Sequence, residues 1–373
     1  MEVEFVMKKL AIYVHIPFCK QKCKYCDFTS FANLESKVEL YVEALLGEIR
    51  EYSSIAKDYT VTSVYFGGGT PSFIDENFIQ RIYDAIKNNY VLNDDIETTI
   101  EANPGTINIE KLKKYKDIGF NRISFGVQSM SDRILKEIGR VHTANDAVEG
   151  FYMAKSAGFT NISLDLMFGL PNQTLKDVED TLDAFIKLNP EHISTYSLKV
   201  EENTVFGKLQ SEGKLLLPDD DVERSMYYLI KEKLKNAGYE HYEISNFGKI
   251  GFSSRHNTAY WERQPYLGFG LGASSCFNET RFKNTDNFDK YVDNFKGNIQ
   301  DKEVLSQEVI NSERIILGLR MLKGISEEYF IYDRWRESEH KLIKLGLLEE
   351  NNGVVRLTDK GLDLANQAFV EFI

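Results

Sequence analysis

Along the first two hundred residues, short apolar, β-branched or aromatic runs alternate with longer stretches whose apolar positions recur at helical spacing. The runs are Ala11–Ile16, Val61–Phe66, Thr98–Ala102, Arg122–Val127, Asn161–Phe168 and His192–Leu198. Between them the spacing predicts helices over 36–54, 75–89, 108–118, 131–139, 145–158 and 174–188. Gly119-Phe120 and Gly158-Phe159 stand where such a helix should stop and a strand begin. Six strand–helix units in series predict an α/β fold: an incomplete, TIM-like (β/α)6 barrel with its helices outside.

Beyond about residue 200 the rhythm changes. Residues 220–237 read as a long helix, and 240–280 are rich in Gly, Asn, Ser and aromatics with weak periodicity. Helical patterns return over Gln307–Leu322, Ser326–Tyr332 and Arg336–Leu345. Asn351-Asn352-Gly353 then marks a hairpin between Leu347–Glu350 and Val354–Leu357, and a helix from Asp359 closes the chain. Helices followed by a small hairpin predict a C-terminal α+β, winged-helix-like domain. The expected division is 1–205 for the partial barrel, 206–300 for a linking region and 301–373 for the C-terminal domain.

Charge and composition narrow the function classes. The formal net charge of −12 over 373 residues argues against general nucleic-acid binding, which needs basic surface to neutralise phosphates. For the same reason the winged-helix-like module reads as a packing or docking element. No run is long and apolar enough to cross a membrane. The start, Met1 to Lys9, has scattered charges and no small-residue cleavage site, so it is not expected to be a secretory signal. A cytoplasmic protein is expected, with any membrane docking peripheral.

The chain has four cysteines, and three of them, Cys19, Cys23 and Cys26, fall within eight residues directly after the first strand run. Loops after parallel strands face the ligand side of such folds. Three thiolates on one tight loop can reach three irons of a [4Fe–4S] cluster and leave the fourth open to a small chelating molecule. Tyr25, just before the third cysteine, would cover the cluster. A zinc site is the competing reading, but zinc favours added His or Cys ligands close by, and His15 is the nearest. The second strand ends in Gly67-Gly68-Gly69-Thr70-Pro71, where glycines let a ligand approach the backbone. Glu101 ends the third strand and can form charge-assisted hydrogen bonds. Gln128, Arg140 and Asp165 fall where the fourth and fifth strands open onto the same face.

The CxxxCxxC loop resembles the signature of the radical S-adenosylmethionine superfamily. Tyr13-Val-His-Ile-Pro-Phe-Cys19, Gly67–Pro71, Gly126-Val127-Gln128 and Asp165-Leu-Met-Phe-Gly-Leu-Pro171 further resemble the oxygen-independent coproporphyrinogen oxidase family, from about residue 11 to the C-terminus. The resemblance implies a [4Fe–4S] cluster on Cys19, Cys23 and Cys26, with S-adenosylmethionine (SAM) chelating the open iron and cleaved reductively to a 5′-deoxyadenosyl radical. It also implies SAM contacts at Tyr13, Gly68, Gly69, Thr70, Glu101, Gln128, Arg140 and Asp165, the last three completing the adenosine and ribose contacts or defining a second SAM site.

Two departures separate the chain from the oxidase. The oxidase pattern continues CxxxCxxCxC, whereas Asp27-Phe28 follows Cys26 here. The oxidase carries a long segment before its cluster, which this chain, with its first cysteine at position 19, is expected to lack. Both match the family's haem-chaperone branch, and so does His256-Asn257-Thr-Ala-Tyr260-Trp261, which resembles a motif proposed there to bind haem. An imidazole can ligate haem iron, and Tyr and Trp rings can lie against a porphyrin face. Cys276 could also ligate haem, but a structural thiol is the plainer reading. The branch implies haem as cargo, delivery to membrane-bound haem-receiving respiratory apoproteins, an electron donor for the cluster and a possible homodimer.

Overall fold

A computed structural model describes residues 7–373, so the reading of Met1 to Lys9 falls largely outside them. Strand β1 (Lys8–Ile16) is buried on both faces over nearly all of its apolar run, as a central strand covered from both sides should be. It pairs in parallel with β2 (Tyr59–Gly68), and the series continues in parallel through β3 (Val91–Ala102), β4 (Arg122–Gln128), β5 (Ile162–Phe168) and β6 (His192–Ser197). Helices α1 (Val38–Tyr52), α2 (Glu76–Asn89), α3 (Ile109–Ile118), α4 (Asp132–Glu137), α5 (Ala144–Ser156) and α6 (Leu175–Leu188) fill the connections. Side-chain caps start several of them: Asp75 accepts from the Asn77 amide, and Thr143/Asp146 and Thr174/Asp177 form reciprocal capping boxes. Apolar faces such as Ile79, Ile82 and Ile86 of α2, or Val178, Leu182 and Phe185 of α6, share one core with the strands. The six strand–helix units agree with the pattern in the sequence.

The sheet does not stop at six strands. Helices α7 (Val205–Ser211) and α8 (Asp220–Asn236) lead to β7 (Glu240–Glu243) and β8 (Asn246–Gly248), and β8 pairs antiparallel with β6. After α9 (Arg255–Trp261), strand β9 (Tyr266–Phe269) returns to the free edge of β1 and pairs with it in parallel. Strands β10 (Ser274–Phe277), β11 (Thr280–Asn284) and, after α10 (Phe288–Asn294), β12 (Ile299–Val304) extend that edge. The resulting twelve-stranded order is β12-β11-β10-β9-β1-β2-β3-β4-β5-β6-β8-β7. The weakly periodic residues 240–284 are therefore largely sheet. Their strands are too short to show a period and owe their pairing to residues far away in sequence.

The C-terminal residues form a second core around Trp335, Phe330, Leu342, Leu348 and Val355. It combines α11 (Gln307–Gly318), α12 (Asp333–Lys344) and the short α13 (Asp359–Asp363) and α14 (Ala365–Phe369) with the small sheet β13 (Ile325–Ser326), β15 (Val354–Leu357) and β14 (Leu348–Asn351). Asn352 and Gly353 both have positive φ, 54° and 77°, the mark of a type I′ hairpin turn. The helix expected over Ser326–Tyr332 is instead strand β13 followed by one 3-10 turn over Glu327–Tyr329, because Ile325 and Ser326 pair with Val355 and Val354 and hold the chain extended.

One buried carboxylate ties the β9–β10 connection to the barrel. Glu48 on α1 accepts hydrogen bonds from the Gly270 amide (2.8 Å), Asn284 Nδ2 (2.6 Å) and the Tyr291 hydroxyl (2.6 Å). Beside it, Tyr41 accepts from the Leu271 amide and donates to the His15 carbonyl at 2.7 Å, reaching the last turn of β1. Burial pushes the Glu48 carboxyl up from 4.5 to about 7. The folded chain therefore binds more protons than the unfolded one across that interval, so this group's contribution to stability falls as pH rises through it. Denaturant unfolding should show Glu48→Gln gaining on the wild type from pH 4.5 to 7. A difference between the two that does not change with pH would contradict the assignment.

Candidate functional site at the C-terminal ends of the strands

The cysteine loop leaves β1 and is pinned at its base. Phe18–Cys19 pairs with Phe31–Ala32, and His15 Nε2 lies 2.7 Å from the Thr29 carbonyl oxygen. A carbonyl only accepts, so Nε2 carries the proton and Nδ1 accepts from the Tyr13 hydroxyl at 3.0 Å. Burial pushes His15 down to about 4, which keeps the ring neutral. His15 is thus a tie for the loop, facing Thr29 and Tyr13. Further along, the Lys24 amide donates to Ile138, the Phe206 amide donates to Lys24, and Gln21 Nε2 donates to Gly139. Cys19 is buried, and Cys23 and Cys26 are partly exposed. Thr70 Oγ1 and Arg140 Nη1 approach the Cys19 and Cys23 sulfurs at 3.5 Å each. Burial pushes the Cys19 and Cys26 thiols up, so as bare groups they are protonated.

The three cysteines open on a cavity of about 480 Å³ that also receives Gly68, Gly69, Thr70, Glu101, Gln128, Arg140 and Asp165. The glycine loop is laced to the cysteine loop: the Gly69 amide donates to Ile16 and the Thr70 amide to Phe18, both at 2.9 Å. A Cβ on Gly69 would stand 3.0 Å from the Cys19 sulfur and 2.9 Å from two carbonyl oxygens, so only glycine fits there. Glu101, at the end of β3, accepts from the Tyr65 hydroxyl (2.8 Å) and the Gly68 amide (3.3 Å). Burial pushes its carboxyl up to about 7, and burial likewise raises Asp165, which accepts from Ser124 at 3.1 Å. Gln128 has φ of 70°, a conformation rare outside glycine and often found where a side chain is aimed at a ligand.

Orphaned polar atoms in the cavity wall show that a ligand set fits. Among the described residues, buried Gln128 Oε1 and Arg140 Nε have no hydrogen-bond partner. Buried polar atoms are rarely left so unless something else completes them. Nor do any three His, Cys, Asp or Glu side chains among the described residues converge as a single-ion site. Thiolates around a cubane each reach a different iron and need not converge on one point.

Tyr13 stands behind the cavity wall, its ring beside Tyr65 at 6.3 Å between centroids. The HNxxYW residues lie elsewhere. Helix α9 packs toward the lower barrel, where Glu97 accepts from the Arg255 and His256 amides. The His256 ring is buried, with Nδ1 2.9 Å from Ser63 Oγ and Nε2 3.0 Å from the Tyr260 hydroxyl. Tyr260 and Trp261 are half-buried, and the Arg320 guanidinium lies 4.3 Å over the Trp261 ring. Cys276 is half-buried on β10. Tyr65, Asn103 and Tyr196 also line the cavity without having stood out in the sequence. Their one signal is position, since each lies at or beside a strand's C-terminal end.

The Radical SAM superfamily model matches residues 13–185, and the HemN C-terminal domain model matches residues 305–364. By fold, "Coproporphyrinogen III oxidase (HemN)" from Escherichia coli superposes with a TM-score of 0.85 at 23% identity, covering 98% of this chain and 90% of that one. Fold and models together define a radical SAM protein, a class that implies a [4Fe–4S] cluster and SAM. "Heme chaperone HemW" of Bacillus subtilis is 38% identical over 97% of this chain and 98% of its own length; that of Lactococcus lactis is 36% identical over 99% and 98%. The protein of the same name from Escherichia coli is 40% identical over 71% of this chain. The chain belongs to this HemW family.

Glycine is required at position 68 for two reasons: φ is 107°, and a Cβ would meet the His15 ring at 2.5 Å. Gly68→Ala should therefore cost about 2 kcal/mol of stability and free the cysteine loop from its histidine tie. Denaturant unfolding and protease cleavage within residues 20–30 check both effects, and unchanged stability would contradict the packing described.

Proposed function

We propose that this chain is a haem chaperone that holds a [4Fe–4S] cluster on Cys19, Cys23 and Cys26, binds SAM in the adjoining cavity, and delivers haem to membrane-bound respiratory apoproteins. The observation that carries the reading is Asp27-Phe28 after Cys26, where the oxidase pattern has a further cysteine. It occurs in a chain that aligns nearly end to end with relatives named as haem chaperones. An electron donor for the cluster and a homodimeric form belong to the same reading.

The electrostatics of the cavity support SAM. Glu101 and Asp165 line the cavity, with the buried Arg122 and Arg140 among the nearby cations. Carboxyls that burial has pushed up are those a bound cation would return to the ionised form. SAM carries two cationic groups, an ammonium and a sulfonium. In this reading Gly68–Thr70 and Glu101 orient the amino group, Tyr13 backs them, and Gln128, Arg140 and Asp165 complete the adenosine and ribose contacts. When bound, cluster and SAM supply one-electron reductive chemistry at the sulfonium, here serving haem transfer or its regulation. Tyr260 and Trp261 remain the candidates for contact with the porphyrin face.

Anaerobic reconstitution followed by haem titration, with a coproporphyrinogen III turnover assay on the same sample, tests the reading. Stoichiometric haem binding without decarboxylation is expected, and Cys23→Ala should lose the intact cluster. Catalytic decarboxylation without haem affinity would make the chain an oxidase and overturn the proposal.

A further inference from the structure

We propose that His256 is a positioning residue of the SAM cavity, acting through Tyr65 on Glu101, and does not ligate haem iron. The inference rests on the reading of the cavity as the SAM site. Side chains on a strand alternate between its faces, and on β2 the alternate residues Ser63, Tyr65 and Gly67 form one column inside the barrel. Each member touches a different part of the apparatus. Ser63 holds His256 Nδ1 at 2.9 Å. Tyr65 lies stacked on the imidazole, 5.0 Å between centroids with planes 25° apart. Gly67 has no side chain, and a Cβ there would stand 3.0 to 3.2 Å from Tyr65, Tyr13 and Glu101.

The column ends at the cavity, where the Tyr65 hydroxyl donates to Glu101 Oε1 at 2.8 Å and the Gly68 amide to Oε2 at 3.3 Å. The shorter of the two bonds that aim Glu101 therefore depends on the plane of the Tyr65 ring. That plane is set from below by an imidazole that cannot itself turn. Tyr260 meets its Nε2 at 3.0 Å, and Glu97 accepts from the His256 and Arg255 amides at 3.1 and 3.2 Å. Tyr13 closes the third side, 6.5 Å from the imidazole and 6.3 Å from Tyr65 between centroids. Both ring nitrogens are thus committed to hydroxyls. An iron ligand would have to give up one of those bonds and leave a buried hydroxyl without its partner. A positioning role uses the histidine as it stands.

The test uses the full chain with its cluster reconstituted anaerobically, in wild type, Tyr65→Phe, His256→Ala, the double variant, Tyr260→Phe and Glu101→Gln. SAM affinity is read from the change that SAM produces in the electron paramagnetic resonance of the reduced cluster, and haem affinity from the Soret band. Iron and sulfide per chain report cluster integrity. His256→Ala and Tyr65→Phe should each weaken SAM binding on the order of tenfold, the effect of losing one hydrogen bond to a charged group. Because they act in series, the double variant should be little worse than Tyr65→Phe alone. Cluster content and haem affinity should stay unchanged in His256→Ala and Tyr65→Phe, and Tyr260→Phe should weaken SAM in the same sense if His256→Ala fails to fold. Additive losses, or normal SAM affinity with haem binding abolished in His256→Ala, would overturn the proposal. Glu101→Gln with unaltered SAM affinity would instead remove the cavity reading on which it rests.

Discussion

Buried carboxylates dominate the interior of this barrel, and much of the site is an answer to them. Glu97, Glu101 and Asp165 project inward from β3 and β5, and desolvation disfavours the charged forms of Glu101 and Asp165. Arg122, itself buried, stands among them and is drawn up by Glu97, Tyr65 and Asp165 against its own desolvation. Hydroxyls from Tyr65, Ser124 and Ser163 and the Gly68 amide take up further lone pairs. At the mouth, Lys22, Arg140 and Lys199 face Asp27, Glu101, Asp165 and Glu201 across the same cavity. In the proposed function a cationic cofactor would complete the compensation of Glu101 and Asp165, and the same groups that solvate these carboxylates fix their direction.

The second requirement is that the three thiols keep their places on a loop with little secondary structure of its own. The loop is fastened at separate points, each to a different element. Its base pairs with itself through Phe18–Cys19 and Phe31–Ala32, its return is held by His15, and its middle is bound to the α4–α5 connection and to α7. His15 is in turn held through Tyr41 next to the Glu48 network, so residues from 270 to 291 support a loop more than two hundred positions away in sequence. The late strands β9 to β11 are therefore part of the frame of the site as well as of the sheet. One left-handed residue borders the cavity itself, Gln128, whose buried amide oxygen has no hydrogen-bond partner.

Much of this was legible in the sequence. Long runs with a clear period gave their own elements, so the six strand–helix units and α8 fall where the pattern puts them. The cysteines and the glycine loop announce themselves because few other tasks need those residues in that order. The strands between 240 and 284 were not legible, since three to five residues carry no period and Tyr266–Phe269 acquires its meaning only by lying beside Ala11–Val14. Ser326–Tyr332 misled for a related reason, its first residue being taken up by a hairpin that comes later in the chain. Tyr65 was hidden differently: an aromatic in a strand looks like core until the carboxylate above it is seen. His256 was visible as a residue, but its setting between Ser63 and Tyr260 depends on three separate elements meeting.

The central claim is that a three-thiolate cluster and an acidic cavity together receive one SAM molecule, its amino group directed by Glu101 and the glycine loop. Electron–nuclear double resonance on the reduced, reconstituted protein with SAM labelled with nitrogen-15 at the amino position tests it most directly. A nitrogen-15 hyperfine coupling, replaced by a nitrogen-14 pattern with unlabelled SAM, is the predicted result. Bound SAM with no such coupling, beside an intact four-iron cluster, would show that the cavity does not bring the amino group to the cluster and would contradict the account.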